Sequence, residues 1–281
     1  MTHLERSLKK CCLSLIMAKT ILITGATDGI GLATAKQLVK LGHHVLLHGR
    51  NKIKLEDTKQ TLATLNKDAH IEMYAADLSV LEEVKTLAKQ ISDHHKKLNV
   101  LINNAGVYVV NQTVSSDGLD TRFAVNTIAP YLLTKLILPL LPDDGRIINL
   151  SSAAQTSFSP EELNNASKQS NDIVYAKSKL ALTMWSMGLA NTLKEKGKVV
   201  IAVNPGSMLA SKMVKEAYGV NGKDIYIGAN ILCDLALKEE YRNSSGQYFD
   251  NDAGRFSQPH PDALDMQKNR QVVDVIESII E

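Results

Sequence analysis

The amino-acid sequence predicts an α/β fold: a single doubly wound domain, built on a mostly parallel seven-stranded sheet with helices on both faces. Three observations predict it. Apolar runs bounded by turn residues alternate with helix-period stretches, as βαβ units require. The runs are apolar along their length rather than at alternate positions, which marks strands buried on both faces. A glycine-rich turn, Thr24-Gly25-Ala26-Thr27-Asp28-Gly29-Ile30-Gly31, joins the first apolar run to the first helical one.

Taken in order, the runs place strands at 20–24, 44–48, 70–75, 98–103, 145–150, 198–203 and 246–249. Helices fill the gaps at 29–41, 51–66, 79–95, 118–141, 172–196 and 225–238, the first stopped by Gly42. Crossovers between parallel strands are right-handed. The longest irregular stretches, 152–171 and 206–224, are long enough to act as rim and lid over a site. Residues 250–281 follow the last strand and read as a strap over the sheet edge.

Length and composition narrow the function. The 281 residues fit one wound sheet, residues 19–281, preceded by an N-terminal extension, residues 1–18. With 44% hydrophobic and 22% charged residues and a net charge of +2, the chain is neither disordered nor basic enough to hold nucleic acid by charge. A small-molecule partner is expected. Cys11, Cys12 and Cys233 fit neither a disulfide framework nor metal spacing, which suggests a reducing, cytoplasmic setting. Lys9-Lys10 precede a short apolar run that resembles a signal peptide. That run abuts the first strand through Met17-Ala18-Lys19, so residues 1–16 read better as a dispensable extension or a start assigned too early. No other segment approaches the roughly 20 apolar residues that cross a bilayer. The adjacent pairs His43-His44 and His94-His95 are placed on surfaces, and no metal is assigned to them.

The glycine turn carries the first chemistry. Gly25 ends a strand, and Gly29 and Gly31 open a helix, letting the backbone approach a pyrophosphate at the positive helix end. The spacing Gly-x-x-x-Gly-x-Gly differs from the usual Gly-x-Gly-x-x-Gly, and the strand before and helix after it support the phosphate reading. At the end of the second strand an acid would select NAD, and its absence with an arginine would select NADP. The chain reads His48-Gly49-Arg50-Asn51, so NADP (NADPH) is preferred over NAD; the other reading makes Arg50 a solvated loop charge. Asp77, followed by Leu78, serves either an adenine amino group or a helix N-cap. Small residues in Asn103-Asn104-Ala105-Gly106 allow close approach to the riboses. Tyr175 and Lys179 stand one helical turn apart, and a phenol beside a cation downstream of a phosphate cradle points to hydride transfer with a nicotinamide.

Over residues 19–255 the chain resembles the short-chain dehydrogenase/reductase family, whose fold is of the Rossmann type. The matching motifs are Thr24-Gly25-x-x-x-Gly29-x-Gly31, Asp77, Asn103-Asn104-Ala105-Gly106, Asn126, Ser151-Ser152, Tyr175-x-x-x-Lys179 and Asn204-Pro205-Gly206. Phe123-Ala124-Val125-Asn126 and the insertion between Ser152 and Tyr175 resemble the branch holding retinol dehydrogenases and the WW-domain-containing oxidoreductase. The resemblance implies a catalytic tetrad of Asn126, Ser152, Tyr175 and Lys179, with Ser151 the fallback for Ser152. It also implies a cofactor surface of Gly25, Thr27, Asp28, Gly29, Ile30, Gly31, Arg50, Asp77, Leu78, Asn104, Ala105, Gly106, Tyr175, Lys179, Pro205 and Gly206. Where the family often has a threonine for the nicotinamide amide, this chain has Ala210-Ser211.

In that scheme Tyr175 protonates a carbonyl oxygen as hydride arrives. A free phenol titrates near 10, so each unit of lowering needs about 1.4 kcal/mol of anion stabilisation, supplied by Lys179 and the oxidised nicotinamide. Pro130 lies four residues after Asn126 and cannot donate to its carbonyl, so the helix should kink there and free that carbonyl for a proton relay. Val107-Tyr108-Val109-Val110, Phe158, Ile173, Met208-Leu209 and Met213 flank the expected site, which suits a lipophilic carbonyl or alcohol unless they are core. Met184, Trp185 and Met187 on the Tyr175 helix are either core or, by the resemblance, a homodimer face. Two rivals use the same fold: a dinucleotide-sensing regulatory protein without turnover, and a sugar-nucleotide epimerase. Intact Tyr175 and Lys179 argue against the first. The second calls for another glycine spacing and a longer C-terminal lobe.

Overall fold

The structure, a computed structural model, describes residues 18–281; the basic and apolar stretch read at the N-terminus lies outside the described residues. The strands are β1 (Thr20–Ile23), β2 (His44–Gly49), β3 (Ile71–Ala75), β4 (Val100–Asn103), β5 (Arg146–Leu150), β6 (Val199–Asn204), β7 (Gln247–Asp250) and β8 (Arg255–Ser257). They form one sheet in the order β3-β2-β1-β4-β5-β6-β7-β8. Every pairing is parallel except β7 with β8. The expected seven strands are therefore eight among the described residues. The extra strand is three residues long and partly exposed, too short to register as an apolar run, and Phe256 secures it edge-on against Phe249 at 5.1 Å.

Alternate strand residues feed two cores. On one face Leu22, Leu46, Leu101, Ile147 and Val200 pack with Phe123, Leu133, Trp185 and Ile276. On the other, Ile21, Leu47, Ile102, Ile148 and Ile201 pack with Leu38, Leu55 and Leu232. Each fully buried aliphatic side chain contributes about 1.5–3 kcal/mol, and apolar residues make up most of strands β4 to β6, whose polar exceptions are Asn103, Arg146, Asn149 and Asn204. The strand order reverses beside β1, leaving a crevice outside the carboxyl ends of β1 and β4.

The helices that position the site are α1 (Gly29–Lys40), α2 (Lys52–Ala63), α3 (Leu81–His94), α4 (Ala129–Ile137), α5 (Asn171–Thr192), α6 (Lys212–Tyr218), α7 (Tyr226–Leu237) and α8 (Met266–Ile280). Asp28 caps α1 by accepting from the Gly29 amide, and Asn51 caps α2 by accepting from the Lys54 amide. The helix expected from residue 79 starts at Leu81, because the Asp117 carboxylate accepts from the Leu81 amide at 2.8 Å. The single helix expected over 118–141 is composite. An α turn, Thr121–Phe123, passes into a π turn, Ala124–Ile128, before α4. The Ala129 amide reaches back five residues to the Ala124 carbonyl, just ahead of Pro130, which has no amide to donate. The kink expected at Asn126 thus takes the form of a π turn.

Three other expectations need correction. Against the expectation that no segment beyond the N-terminal run reaches such a length, the helical run Thr121–Leu140 is, by length and composition, long and apolar enough to cross a membrane. Most of it is buried in the core beneath the sheet, where a helix needs no charges. The strap after β7 holds β8, a short turn of helix at Pro261–Leu264 and the 15-residue α8. Val272, Ile276 and Ile280 recur every four residues on α8 and bury it against α5. Trp185 and Met184 are consequently core residues of the same chain, with Tyr131 edge-on to Trp185 at 5.5 Å, and give no ground for a partner subunit. The histidine pairs are not simply superficial either: His43 is buried, and His44 and His95 are largely shielded.

Candidate active site

The glycine turn is held open by backbone conformation. Gly25 (φ +66°) and Gly29 (φ +51°) occupy the left-handed region, which side chains resist. A Cβ on Gly31 would lie 2.3 Å from the Gly25 carbonyl oxygen and 2.4 Å from Asn104 Nδ2, so no side chain fits. Asn104 Nδ2 donates to the carbonyls of Thr24 and Gly25 at 2.8 and 3.1 Å, tying the turn to the loop after β4. Ala105 lies against Gly25, Thr27 against Gly49, and Ile30 against Gly228. The first-turn amides of α1 have no partner within a helix and open toward this cradle, a ready anion site.

Beside it, Arg50 closes β2 with its side chain 68% exposed and its Nη1 3.8 Å from Asp77 Oδ2. Asp77 uses its other oxygen to accept from the Ser79 amide and hydroxyl, so it shapes its own loop while facing Arg50. The Leu78 side chain is buried in the core, leaving only its backbone for any ligand. The cradle fits the pyrophosphate of a nicotinamide dinucleotide. Pro205 is buried and Gly206 adopts φ +118°; the Pro205 carbonyl accepts from Asn251, which pins the turn that opens the lid.

Asn126, Ser152, Tyr175 and Lys179 come together above β4 and β5. A Cβ on Gly106 would meet Lys179 Nζ at 3.3 Å and Asn126 Oδ1 at 3.5 Å. Asn126 accepts from the Val107 amide at 2.8 Å and donates to the Val107 carbonyl at 2.9 Å and to Ser178 Oγ at 3.0 Å. It locks the loop after β4 onto α5. The two serines separate cleanly. Ser151 is buried and shares a 2.6 Å hydrogen bond with Thr183, whereas Ser152 is only half-buried and its hydroxyl acts on the Tyr175 phenol, favouring the ionised form. Alternation along an extended backbone sends neighbouring side chains opposite ways, which sequence alone could not resolve.

The electrostatics differ from the expected depressed phenol. Burial pushes Tyr175 up to about 12, with the Ser152 hydroxyl pulling the other way. Burial also brings Lys179 down to about 8. Lys179 Nζ lies 5.7 Å from the centre of the Tyr175 ring and donates to the Leu150 carbonyl at 2.7 Å, so its charge is aimed at β5 rather than at the phenol oxygen. Desolvation therefore sets the direction for the phenol, which holds its proton.

Tyr108 stands at the site as expected, and Asp172 and Tyr218 join it without having been expected there. The Tyr108 hydroxyl donates to Asp172 Oδ1 and stands 3.1 Å from the Tyr218 hydroxyl. The Tyr108 ring lies 4.8 Å from that of Tyr175. Asp172 precedes Tyr175 by three residues on one helix face, a legible signal; Tyr218 lies 110 positions from Tyr108 and gave none. Tyr218 ends α6, so the expected lid reaches the tyrosine pair. Ser211 is the N-cap of α6, accepting from Val214, and packs near Gly29. Phe158 is partly buried, packing toward Phe123 and the core, and Leu209 is buried beside Gly228. Val109, Ile173 and Met208 remain exposed. The rim is held by Glu162 on Lys177 at 2.5 Å and by Arg122, which binds Asp120 and donates to Asn171 at 2.6 Å.

A family profile described as short chain dehydrogenase matches residues 19–219. The chain belongs to the short-chain dehydrogenase family. Among curated relatives, "Short-chain dehydrogenase TIC 32 A, chloroplastic" of Brassica napus is 33% identical over 82% of this chain and 79% of its own length. "Retinol dehydrogenase 12" of Mus musculus is 31% identical over 83% of this chain and 78% of its own length. Among solved structures, angucycline C-6 ketoreductase LanV with bound NADP superposes with a TM-score of 0.67, at 26% identity over 83% of this chain and 93% of that one. This short-chain dehydrogenase is an NAD(P)-dependent oxidoreductase of the retinol dehydrogenase branch.

Proposed function

We propose that the chain uses NADP(H) to transfer a hydride between the nicotinamide and a carbonyl, or the corresponding primary or secondary alcohol, of a lipophilic small molecule. The observation that carries the cofactor choice is Arg50, exposed at the end of β2 with no carboxylate at the ribose position. The NADP bound in angucycline C-6 ketoreductase LanV is consistent with it. The nicotinamide, when bound, supplies or accepts the hydride. The chain's own groups do the rest. Tyr175 holds a proton at its phenol oxygen and delivers it to a carbonyl oxygen in reduction. Ser152 donates to that same oxygen as its charge grows. Lys179, braced on the Leu150 carbonyl, holds the ribose side, and Asn126 fixes the Gly106–Val107 backbone beside it. Exposed Val109, Ile173 and Met208, with Tyr108 and Tyr218, favour an apolar or aromatic substrate over a charged one.

Arg50→Ala tests the cofactor reading. A charge-assisted hydrogen bond contributes about 1.5–3 kcal/mol, so KM for NADPH should rise roughly 10- to 150-fold while that for NADH stays put. Steady-state kinetics on a panel of lipophilic ketones and aldehydes would read it, and an undiminished NADPH preference would remove the assignment.

A further inference from the structure

A second cluster of reactive side chains sits at the opposite end of the sheet from Tyr175. His44 opens β2, and His70 immediately precedes β3, both at the amino ends of their strands. Register pairs Val45 with Ile71, so the two histidines are cross-strand neighbours. Their rings stack with centroids 4.0 Å apart and planes 11° from parallel. Glu72, two residues beyond His70, lies on the same side of the strand. Its Oε1 is 2.8 Å from His44 Nε2 and 3.6 Å from His70 Nε2. Its Oε2 is 3.2 Å from His95 Nε2 and accepts from the Tyr74 hydroxyl at 2.9 Å.

The geometry points to a transition-metal site, with Zn²⁺ the best-suited ion, formed by His44 Nε2, His70 Nε2 and a carboxylate oxygen of Glu72. Two imidazoles and a carboxylate are a donor set this class of ion prefers, with water completing a tetrahedron. The three ligand atoms already lie within 4.8 Å of one another. Tetrahedral donors about 2.0–2.1 Å from zinc are roughly 3.4 Å apart, so closure needs movement of about an ångström. His70, with its side chain 71% exposed, is free to supply it.

The surroundings supply the second layer that metal ligands need. His95 and Tyr74 hold the far oxygen of Glu72, and Thr20 Oγ1 stands 3.5 Å from His44 Nδ1, able to accept its proton once Nε2 binds an ion. The ligands join the amino ends of β2 and β3, and His95, just after α3, ties Glu72 to that helix at the outermost strand of the sheet. An ion there braces the sheet edge and takes no part in hydride transfer, so the inference stands apart from the proposed activity.

The test uses the full chain without a histidine tag, stripped with a chelator and titrated with Zn²⁺ by calorimetry, with Co²⁺ visible absorption reporting the ligand field. One equivalent should bind, and a hundredfold excess over Kd should raise Tm by about 5 °C. His70→Ala, at an exposed position, should abolish stoichiometric binding and the Tm rise while circular dichroism and NADPH binding stay unchanged. His95→Ala should weaken binding about 10- to 100-fold through Glu72. Failure of the parent chain to bind one equivalent at about 0.1 mM Zn²⁺, or binding that persists undiminished in His70→Ala, would overturn the site.

Discussion

Ser151 and Ser152 are adjacent, and their replacement by alanine should give opposite outcomes. Ser152→Ala removes the hydroxyl that pulls the Tyr175 phenol downward and, in the proposed reaction, the donor that meets the developing oxyanion. Loss of one such donor lowers kcat by about 10²–10³, or roughly 2.7–4 kcal/mol. Among the described residues its hydroxyl accepts from the Ala154 amide at 3.1 Å, an exposed contact, so stability should move by no more than about 0.5 kcal/mol. Ser151→Ala removes a buried hydrogen bond to Thr183, but Thr183 keeps its 2.9 Å bond to the Lys179 carbonyl and is not orphaned. The cost should be about 1 kcal/mol of stability, seen as a lower urea midpoint, with kcat within a few-fold of the parent. Both variants would be assayed for NADPH-dependent ketone reduction and for urea unfolding. Equal losses of kcat in two folded variants, or a larger loss in Ser151→Ala, would refute the assignment of the hydroxyls.

Two further outcomes follow from the same geometry. Asp120→Ala should cost about 3–5 kcal/mol, because it strands a guanidinium that is 1% exposed and donates to Asp120 at 2.7 and 2.9 Å; pairing it with Arg122→Met should restore much of the loss, and a loss under 1 kcal/mol in the single variant would contradict the account. A phenol pushed up to about 12 is protonated at neutral pH, the form needed for reduction, so alcohol oxidation should rise with pH from 6 to 9 while carbonyl reduction stays level until Lys179 discharges above about 8; oxidation independent of pH over that range would separate Tyr175 from the proton step.

The fold was legible where burial acts on long stretches. Seven strands could be read because parallel strands covered on both faces must be apolar along their length, as Leu101, Ile148 and Val200 are. β8 was not legible, since three residues with an exposed Arg255 leave no such trace. α8 did carry a helical period in Val272, Ile276 and Ile280, and reading it as a strap ignored that signal. The histidines were read by adjacency, which misleads in a strand. His43 and His44 point to opposite faces, and the true neighbours of His44, namely His70 and Glu72, come from the next strand.

The site was legible as an inventory of residues and much less so as electrostatics. Motif spacing identified Tyr175 and Lys179 because i and i+4 share a helix face wherever the helix goes. Their titration depends on things spacing does not encode: how deeply α5 is covered, and where the lysine's tail ends. Lys179 ends on the Leu150 carbonyl, a group available only because β5 terminates beneath that turn of the helix. Once the ammonium is committed there, its stabilisation of a phenolate falls, and burial sets the direction for both groups. A buried phenol that keeps its proton is an acid in waiting. The same burial makes it a poor base until positive charge arrives within a few ångströms, which ties the oxidative direction of the proposed chemistry to the occupancy of the cradle formed by Gly25, Gly29 and Gly31.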